Sequence, residues 1–196
     1  MSFSENKYIV IRDVIPKDML ELLRIQSQML EDVMCHTYKT KPHLFFFGDT
    51  QSPKSFSHYS PLFSESLLVL LTPAIEKHLN CKLFPAYSYM RIYYKDATLE
   101  KHTDRPSCEY SATVCIKCNE LEPWEIKFED TNKKEICVKL NEGDMVIYKG
   151  DEIVHWRDPC NYDKHIQFFL HYVNANGKYS EFKYDKRIAL GLRKDT

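Results

Sequence analysis

The hydrophobic pattern of the chain changes its period after Asn80, and this change limits the folds available to it. Before Asn80, apolar residues recur at helical spacing from Pro16 to about Cys35 and again from Leu62 to Leu79. After Asn80, short segments rich in β-branched and aromatic residues follow one another, separated by turn signals such as Gly150-Asp151. The order predicts an α+β fold, in which N-terminal helices support an all-β core arranged as a sandwich or a barrel.

The predicted elements have the following bounds. A short strand covers Tyr8 to Arg12, and we expect Pro73 to kink or divide the second helix. Residues 36–61 are interpreted as a loop with partial order. The later strands are expected at residues 87–94, 110–118, 126–128, 135–140, 145–148, 153–157 and 164–173.

Length indicates a single domain, because 196 residues that are 43% hydrophobic can bury one sizeable core but are short for two. We expect residues 1–80 to form the helical layer, residues 81–175 the strand-rich core and residues 176–196 a C-terminal tail.

Charge and cysteine content narrow the possible partners. The chain has 27 basic and 28 acidic residues, so its formal charge of −1 creates no field that would attract nucleic acid or an anionic membrane. Its seven cysteines form an odd set, and we find neither a signal peptide nor a long apolar run. We therefore expect a cytoplasmic protein that binds neither nucleic acid nor membrane; the sequence does not indicate its oligomeric state.

A metal-binding pattern occurs at His102-Thr103-Asp104. Side chains alternate along an extended segment, so His102 and Asp104 lie on the same side. His155, at the end of a later strand, is the histidine best placed to complete the set. Two histidines and one carboxylate bind one face of iron(II) and leave positions for a 2-oxo acid and dioxygen.

In this context the sequence resembles the prolyl-hydroxylase-like branch of the iron(II)- and 2-oxoglutarate-dependent oxygenases over roughly residues 84 to 173. The resemblance rests on Tyr93, on Leu99-Glu-Lys-His102-Thr-Asp104 and on Gly143-Asp144-Met-Val-Ile-Tyr148 leading to His155. The sequence is also similar to a bacterial and viral subgroup of that branch. That similarity lies in Tyr87-Ser-Tyr-Met-Arg91, His102-Thr-Asp-Arg-Pro-Ser-Cys-Glu109 and His155-Trp-Arg157.

The resemblance implies that the core of residues 81–175 is a double-stranded β-helix (jelly roll). It also implies an enzyme whose iron(II) is held by His102, Asp104 and His155. Its co-substrates would be 2-oxoglutarate and O2, with ascorbate as a supporting reductant, and its co-products succinate and CO2. We expect it to hydroxylate an amino acid, a peptide or protein side chain, or another small metabolite.

The distal carboxylate of 2-oxoglutarate needs a buried cation, because a carboxylate buried without a partner is costly. Lys164 is the first choice, since the resembled branch places a basic residue nine or ten positions after the second histidine. Lys117 is the second choice, because some other branches use a lysine about fifteen residues after the first histidine. Arg91 is the third, since a guanidinium suits a carboxylate.

Other residues are expected to support the site. Tyr93 stands where a tyrosine binds the co-substrate in the resembled branch, and Tyr94 would replace it if the strand register slipped by one. Arg105 is expected to brace the site or face its entrance. His165 and His171 are expected to face outward, because their parity on the last strand is opposite to that of Lys164. Four further residues could line or support the pocket, with none singled out: Glu109, Trp124, Trp156 and Arg157.

The main alternative to an enzyme is a non-catalytic jelly-roll module that binds a metal or a small ligand. A demethylating oxygenase for nucleic acid is disfavoured, because Asn161 and Gln167 stand where its arginines would be expected. A zinc hydrolase ranks last, since the sequence has no H-E-x-x-H motif.

Overall fold

The computed structural model describes residues 3–40, 51–119, 121–130 and 132–192. Its helices are α1 (Phe3–Asn6), α2 (Lys17–Thr40) and α3 (Leu62–Leu79). Its strands are β1 (Tyr8–Ile11), β2 (Ser55–Tyr59), β3 (Leu83–Tyr94), β4 (Leu99–His102), β5 (Tyr110–Lys117), β6 (Ile126–Glu129), β7 (Glu135–Val138), β8 (Met145–Tyr148), β9 (His155–Arg157) and β10 (Lys164–Asn174). Two 3₁₀ segments cover Pro106–Cys108 and Ser180–Lys186.

The strands form two antiparallel sheets. The larger sheet has the order β1-β8-β5-β10-β3-β2, and the smaller sheet has the order β4-β9-β6-β7. Apolar residues of both sheets, such as Val146 from the larger and Phe128 from the smaller, share one buried cluster between the sheets. The α+β fold with a jelly-roll core is therefore confirmed.

Helices α2 and α3 cover the outer face of the larger sheet. Leu23 from α2 and Leu68 from α3 belong to the same buried cluster as Ile92 of β3 and Phe168 of β10. Because strand side chains alternate, burying these residues against the helices turns their neighbours toward the space between the sheets. The helical layer therefore determines which face of each central strand lines the interior.

Several element bounds differ from the expected ones. Helix α2 continues to Thr40, five residues past the expected end, and β2 lies in the stretch interpreted as a loop, of which residues 41–50 fall outside the described residues. Pro73 lies inside α3, which runs through it as one helix. Pro73 has no backbone N–H to donate to the carbonyl of Val69. Because Val69 is half exposed, water can donate a hydrogen bond to that carbonyl instead. No helix in the described part of the chain is long and apolar enough to cross a membrane.

Candidate active site

The structure brings together the three residues singled out as metal ligands. His102 ends β4 and pairs with His155 at the start of β9, which places the two ring centroids 4.3 Å apart. Asp104 Oδ1 lies 3.6 Å from His102 Nε2 and 3.7 Å from His155 Nε2. One donor atom from each side chain falls within 4.8 Å of the others, so the group could hold a metal ion.

Backbone carbonyls fix the orientation of both imidazoles. Nδ1 of His102 lies 2.7 Å from the carbonyl oxygen of Glu100, and Nδ1 of His155 lies 3.0 Å from that of Ile153. A carbonyl oxygen only accepts, so each Nδ1 carries the proton and donates it. In the neutral ring the lone pair is then on Nε2, the atom that faces Asp104, as a metal ligand requires.

Close backbone packing holds Asp104. Its amide donates to the carbonyl of Gly150 at 2.7 Å, and Ser111 Oγ donates to Asp104 Oδ2 at 2.7 Å. A Cβ at Gly150 would lie 2.4 Å from Asp104 Oδ2 and 2.4 Å from the carbonyl oxygen of Cys108. A glycine is therefore required behind the carboxylate.

The charge states of the group favour a bound cation. Burial opposes ionisation of Asp104, but His155, His102, His171 and Ser111 outweigh it and lower the pKa of Asp104 to about 2. Burial also lowers the pKa of His155, which favours its neutral form. For His102, burial opposes protonation, but the contact with Asp104 raises the net pKa. The group thus offers an ionised carboxylate beside an imidazole held neutral.

A cavity of about 210 Å³ opens over this group, and most of its wall is aromatic. Arg91 is the cation in the wall. The other lining residues outside the group of three are Gln51, Tyr87, Tyr89, Leu99, Tyr148, Phe169 and His171.

The residues proposed to anchor a carboxylate take different positions. Lys164 lies on the helix side of β10, where its Nζ donates to Glu31 Oε2 at 2.7 Å and to Gln28 Oε1 at 3.0 Å. Lys117 is exposed at the end of β5. Neither lysine lines the cavity, whereas Arg91 is buried in its wall and donates from Nε to Ser57 Oγ at 3.1 Å.

The expected orientation of the last strand was wrong. His165 is 1% exposed and His171 is 5% exposed, and His171 lines the cavity. The prediction that these histidines and Lys164 lie on opposite faces of β10 was correct. Helix α2 covers the face that carries Lys164. The histidines therefore face the interior.

A set of buried polar atoms without partners lines the interior beyond the cavity. Among the described residues, these atoms are Tyr93 Oη, Thr113 Oγ1, His165 Nδ1, Gln167 Nε2 and Arg157 Nε. On the larger sheet, His165 pairs with Tyr93, while the neighbours of Gln167 are Arg91 and Cys115. Such atoms are rare in folded proteins. Three of these residues surround Trp124, whose ring centroid lies 5.0 Å from that of Tyr93, 5.2 Å from that of His165 and 4.7 Å from the guanidinium carbon of Arg157.

Arg157 was expected only to line or support the pocket, together with three other residues, and was not among the expected carboxylate anchors. It is 2% exposed, donates from Nη1 to the carbonyl oxygen of Trp124 at 2.9 Å, and lies over the Trp124 ring at 4.7 Å. We find no carboxylate among the described residues within ion-pair distance of its guanidinium. The signal was present in the sequence, because Arg157 lies two residues after His155 and thus on the same face of the strand.

Arg105 connects the site to the C-terminal segment. Its guanidinium lies over the Tyr87 ring at 4.5 Å and makes two hydrogen bonds of 2.8 Å with the carboxylate of Asp185. Asp185 is fully buried and also accepts from Tyr59 Oη at 2.8 Å. Arg105 therefore braces the wall of the cavity.

Comparisons with known proteins concern the fold. No protein-family model and no curated protein matches the chain. Among solved structures, a Pseudomonas putida prolyl-4-hydroxylase is similar, with a TM-score of 0.63 and 12% identity over 88% of this chain and 95% of that one.

Two further solved structures give similar values. The α-ketoglutarate-dependent epimerase SnoN from nogalamycin biosynthesis has a TM-score of 0.70 and 10% identity over 88% of this chain and 78% of that one. A prolyl hydroxylase from Trichoplax adhaerens, in complex with a peptide of hypoxia-inducible factor, has a TM-score of 0.64 and 11% identity over 88% and 86%. This chain therefore has the jelly-roll fold on which these non-haem, 2-oxoglutarate-dependent enzymes and prolyl hydroxylases are built.

Proposed function

We propose that the protein is an iron(II)- and 2-oxoglutarate-dependent oxygenase, formed as a single domain, with His102, Asp104 and His155 as the iron ligands. The observation that carries the proposal is the convergence of these side chains, with both Nε2 atoms facing one carboxylate at the floor of an open cavity. This donor set, on one side of a cavity, is typical of non-haem iron(II) oxygenases. When bound, iron with 2-oxoglutarate and O2 supplies the oxidising chemistry and yields succinate and CO2.

The chain's own residues provide binding and orientation. Glu100 and Ile153 hold the two imidazoles through their carbonyls, and Gly150 and Ser111 hold Asp104. The aromatic wall formed by Tyr87, Tyr89 and Phe169 limits access of water. These contacts keep the donor atoms in place without a large rearrangement when a metal binds.

The partnerless donors of the interior fit the distal carboxylate of the co-substrate. A buried guanidinium without an anion is unfavourable, and a ligand carboxylate would supply that anion. Arg157 would provide the charge, with hydrogen bonds from Tyr93 Oη, Thr113 Oγ1 and the Gln167 amide. Arg157 therefore replaces Lys164 and Lys117 as our anchor, while Arg91 lies in the cavity wall beside the iron ligands.

The cavity supports a small substrate or a single side chain of a peptide. A volume of about 210 Å³ is below the usual range for small-molecule pockets, so the cavity favours a small group. We propose hydroxylation of an amino acid, a peptide or protein side chain, or a small metabolite.

The test is succinate formation from 2-oxoglutarate by the purified protein with iron(II) and ascorbate under air. We expect turnover by the wild type and none by His102→Ala. Lys164→Met is a matched control at a residue outside the cavity and should keep full activity. Full activity of His102→Ala would contradict the iron assignment. If the protein binds iron and 2-oxoglutarate but forms no succinate in the presence of any candidate substrate, a non-catalytic binding module would be favoured.

A further inference from the structure

A second group of metal-binding side chains lies next to the proposed iron ligands. Asp104, Cys108 and His171 offer one donor atom each within 4.8 Å of one another. Cys108 ends the short 3₁₀ helix and is 2% exposed, while His171 lies on the inward face of β10 and is 5% exposed. Neither Cys108 nor His171 is among the proposed iron ligands.

We propose that Asp104, Cys108 and His171 form a second divalent-cation site for a thiophilic ion of the zinc class. A thiolate, an imidazole and a carboxylate are ligands that zinc prefers, and three protein ligands leave a position open, as in many zinc sites. Iron(II) oxygenase sites use harder nitrogen and oxygen donors, so the thiol distinguishes the two groups chemically.

The two oxygens of Asp104 face different neighbours. Oδ1 lies near His102 and His155, at 3.6 and 3.7 Å. Oδ2 accepts from Ser111, whose Oγ lies 2.9 Å from His171 Nδ1. The carboxylate therefore has one oxygen beside the proposed iron ligands, and its other oxygen is linked through Ser111 to His171.

Tyr87 holds the second group together. Its hydroxyl lies 3.1 Å from Cys108 Sγ, and its ring centroid lies 4.5 Å from that of His171. These contacts fix the thiol and the imidazole near each other in the absence of an ion. Such preorganisation by neighbouring side chains is typical of metal sites in proteins.

The nearby guanidinium of Arg105 is engaged by another residue. It lies 4.5 Å from the Tyr87 ring and makes two hydrogen bonds with the carboxylate of Asp185. A divalent cation at the second group would share the carboxylate of Asp104 with the proposed iron. On binding, the Cys108 Sγ–metal bond forms as the thiol proton passes to solvent, so the charge of the group changes without any redox step.

Cobalt(II) provides a direct probe, because a thiolate ligand gives an intense charge-transfer absorption in the near ultraviolet that nitrogen and oxygen ligands lack. The titration would use the full-length wild type and a His102→Ala/His155→Ala variant, which loses two iron ligands but retains Asp104. We expect the thiolate absorption in both proteins and its loss when zinc is added.

The matched variants are Cys108→Ser and Cys160→Ser. Serine at position 108 can keep a hydrogen bond to Tyr87, and Cys160 is a fully buried thiol that accompanies Trp124 in another cluster. The absorption should disappear in Cys108→Ser and persist in Cys160→Ser. Its absence from the wild type, or its persistence in Cys108→Ser, would overturn the second site and leave the succinate assay unaffected.

Discussion

Replacing Arg157 by methionine should weaken the binding of 2-oxoglutarate without lowering the stability of the ligand-free protein. The guanidinium is buried with no anion among the described residues, so its removal relieves a desolvation penalty of several kcal/mol in the ligand-free protein. The loss of its hydrogen bond to the Trp124 carbonyl lowers the free energy of unfolding by about 1 to 3 kcal/mol and offsets this gain. We therefore expect no net loss of stability without 2-oxoglutarate.

Binding of 2-oxoglutarate should weaken strongly in the same variant. Breaking a buried ion pair removes about 3 to 5 kcal/mol, and the lower value applies because Tyr93 and Gln167 still donate to the carboxylate. A loss of about 3 kcal/mol raises Kd roughly 100-fold.

The assay is calorimetric titration of 2-oxoglutarate into manganese(II)-loaded protein, together with urea unfolding of the metal-free protein. Lys164→Met is the control, because Lys164 pairs with Glu31 on the helix side, and its Kd should remain that of the wild type. An unchanged Kd in Arg157→Met, or a loss of several kcal/mol in its ligand-free stability, would contradict the proposal that Arg157 anchors the carboxylate.

Three further predictions follow from the packing of the site and its surroundings. Gly150→Ala should weaken manganese(II) binding by about 10- to 100-fold, since its Cβ would displace Asp104, and an unchanged affinity in a metal titration would contradict this. Burial lowers the pKa of His165 to about 3, so below about pH 6.5 the unfolded chain binds a proton that the folded chain excludes, and stability falls with falling pH. In His165→Gln, the free energy of unfolding measured with urea should depend less on pH, by about 1.4 kcal/mol per pH unit between about pH 6 and pH 4.5. The same pH dependence in the variant and the wild type would contradict this prediction. Asp185→Asn should destabilise the fold by about 2 kcal/mol because Arg105 and Tyr59 lose a buried anion; an unshifted urea midpoint would argue against that role.

Local patterns in the sequence were enough to predict most of the core. The apolar segment at residues 145–148 matched β8, and the strand expected at residues 164–173 matched β10 to within one residue. The strand expected at residues 87–94 covers all but the first four residues of β3. Such segments are recognised from local composition. The spacing of His102 and Asp104 is also local, which is why their pairing on one side could be anticipated.

The direction in which strand side chains face, and contacts between residues far apart in the sequence, were harder to predict. Alternation shows that Lys164 and His165 face opposite ways, but not which of them faces the interior. That choice depends on Glu31 of α2, 133 residues away from Lys164. The contact between Arg105 and Asp185 spans 80 residues, so no local pattern indicated that the C-terminal segment braces the cavity.

The role proposed for Arg157 was not anticipated, for a different reason. A basic residue near the second histidine was expected from the resemblance at a fixed spacing, and that spacing pointed to the next strand. The structure instead places an unpaired guanidinium on the strand of His155 itself. Side-chain alternation puts Arg157 on the same face as His155, so the sequence alone contained enough information to include Arg157 among the candidate anchors.

The most direct test of the account is anaerobic absorption spectroscopy of the protein with iron(II) and 2-oxoglutarate, because a 2-oxo acid chelated to iron(II) gives a visible charge-transfer band without turnover. We predict that the wild type and Lys164→Met develop the band, and that His102→Ala, Asp104→Ala and His155→Ala do not. A band of wild-type intensity in any of these three alanine variants, or no band in the wild type, would contradict the assignment of the iron site.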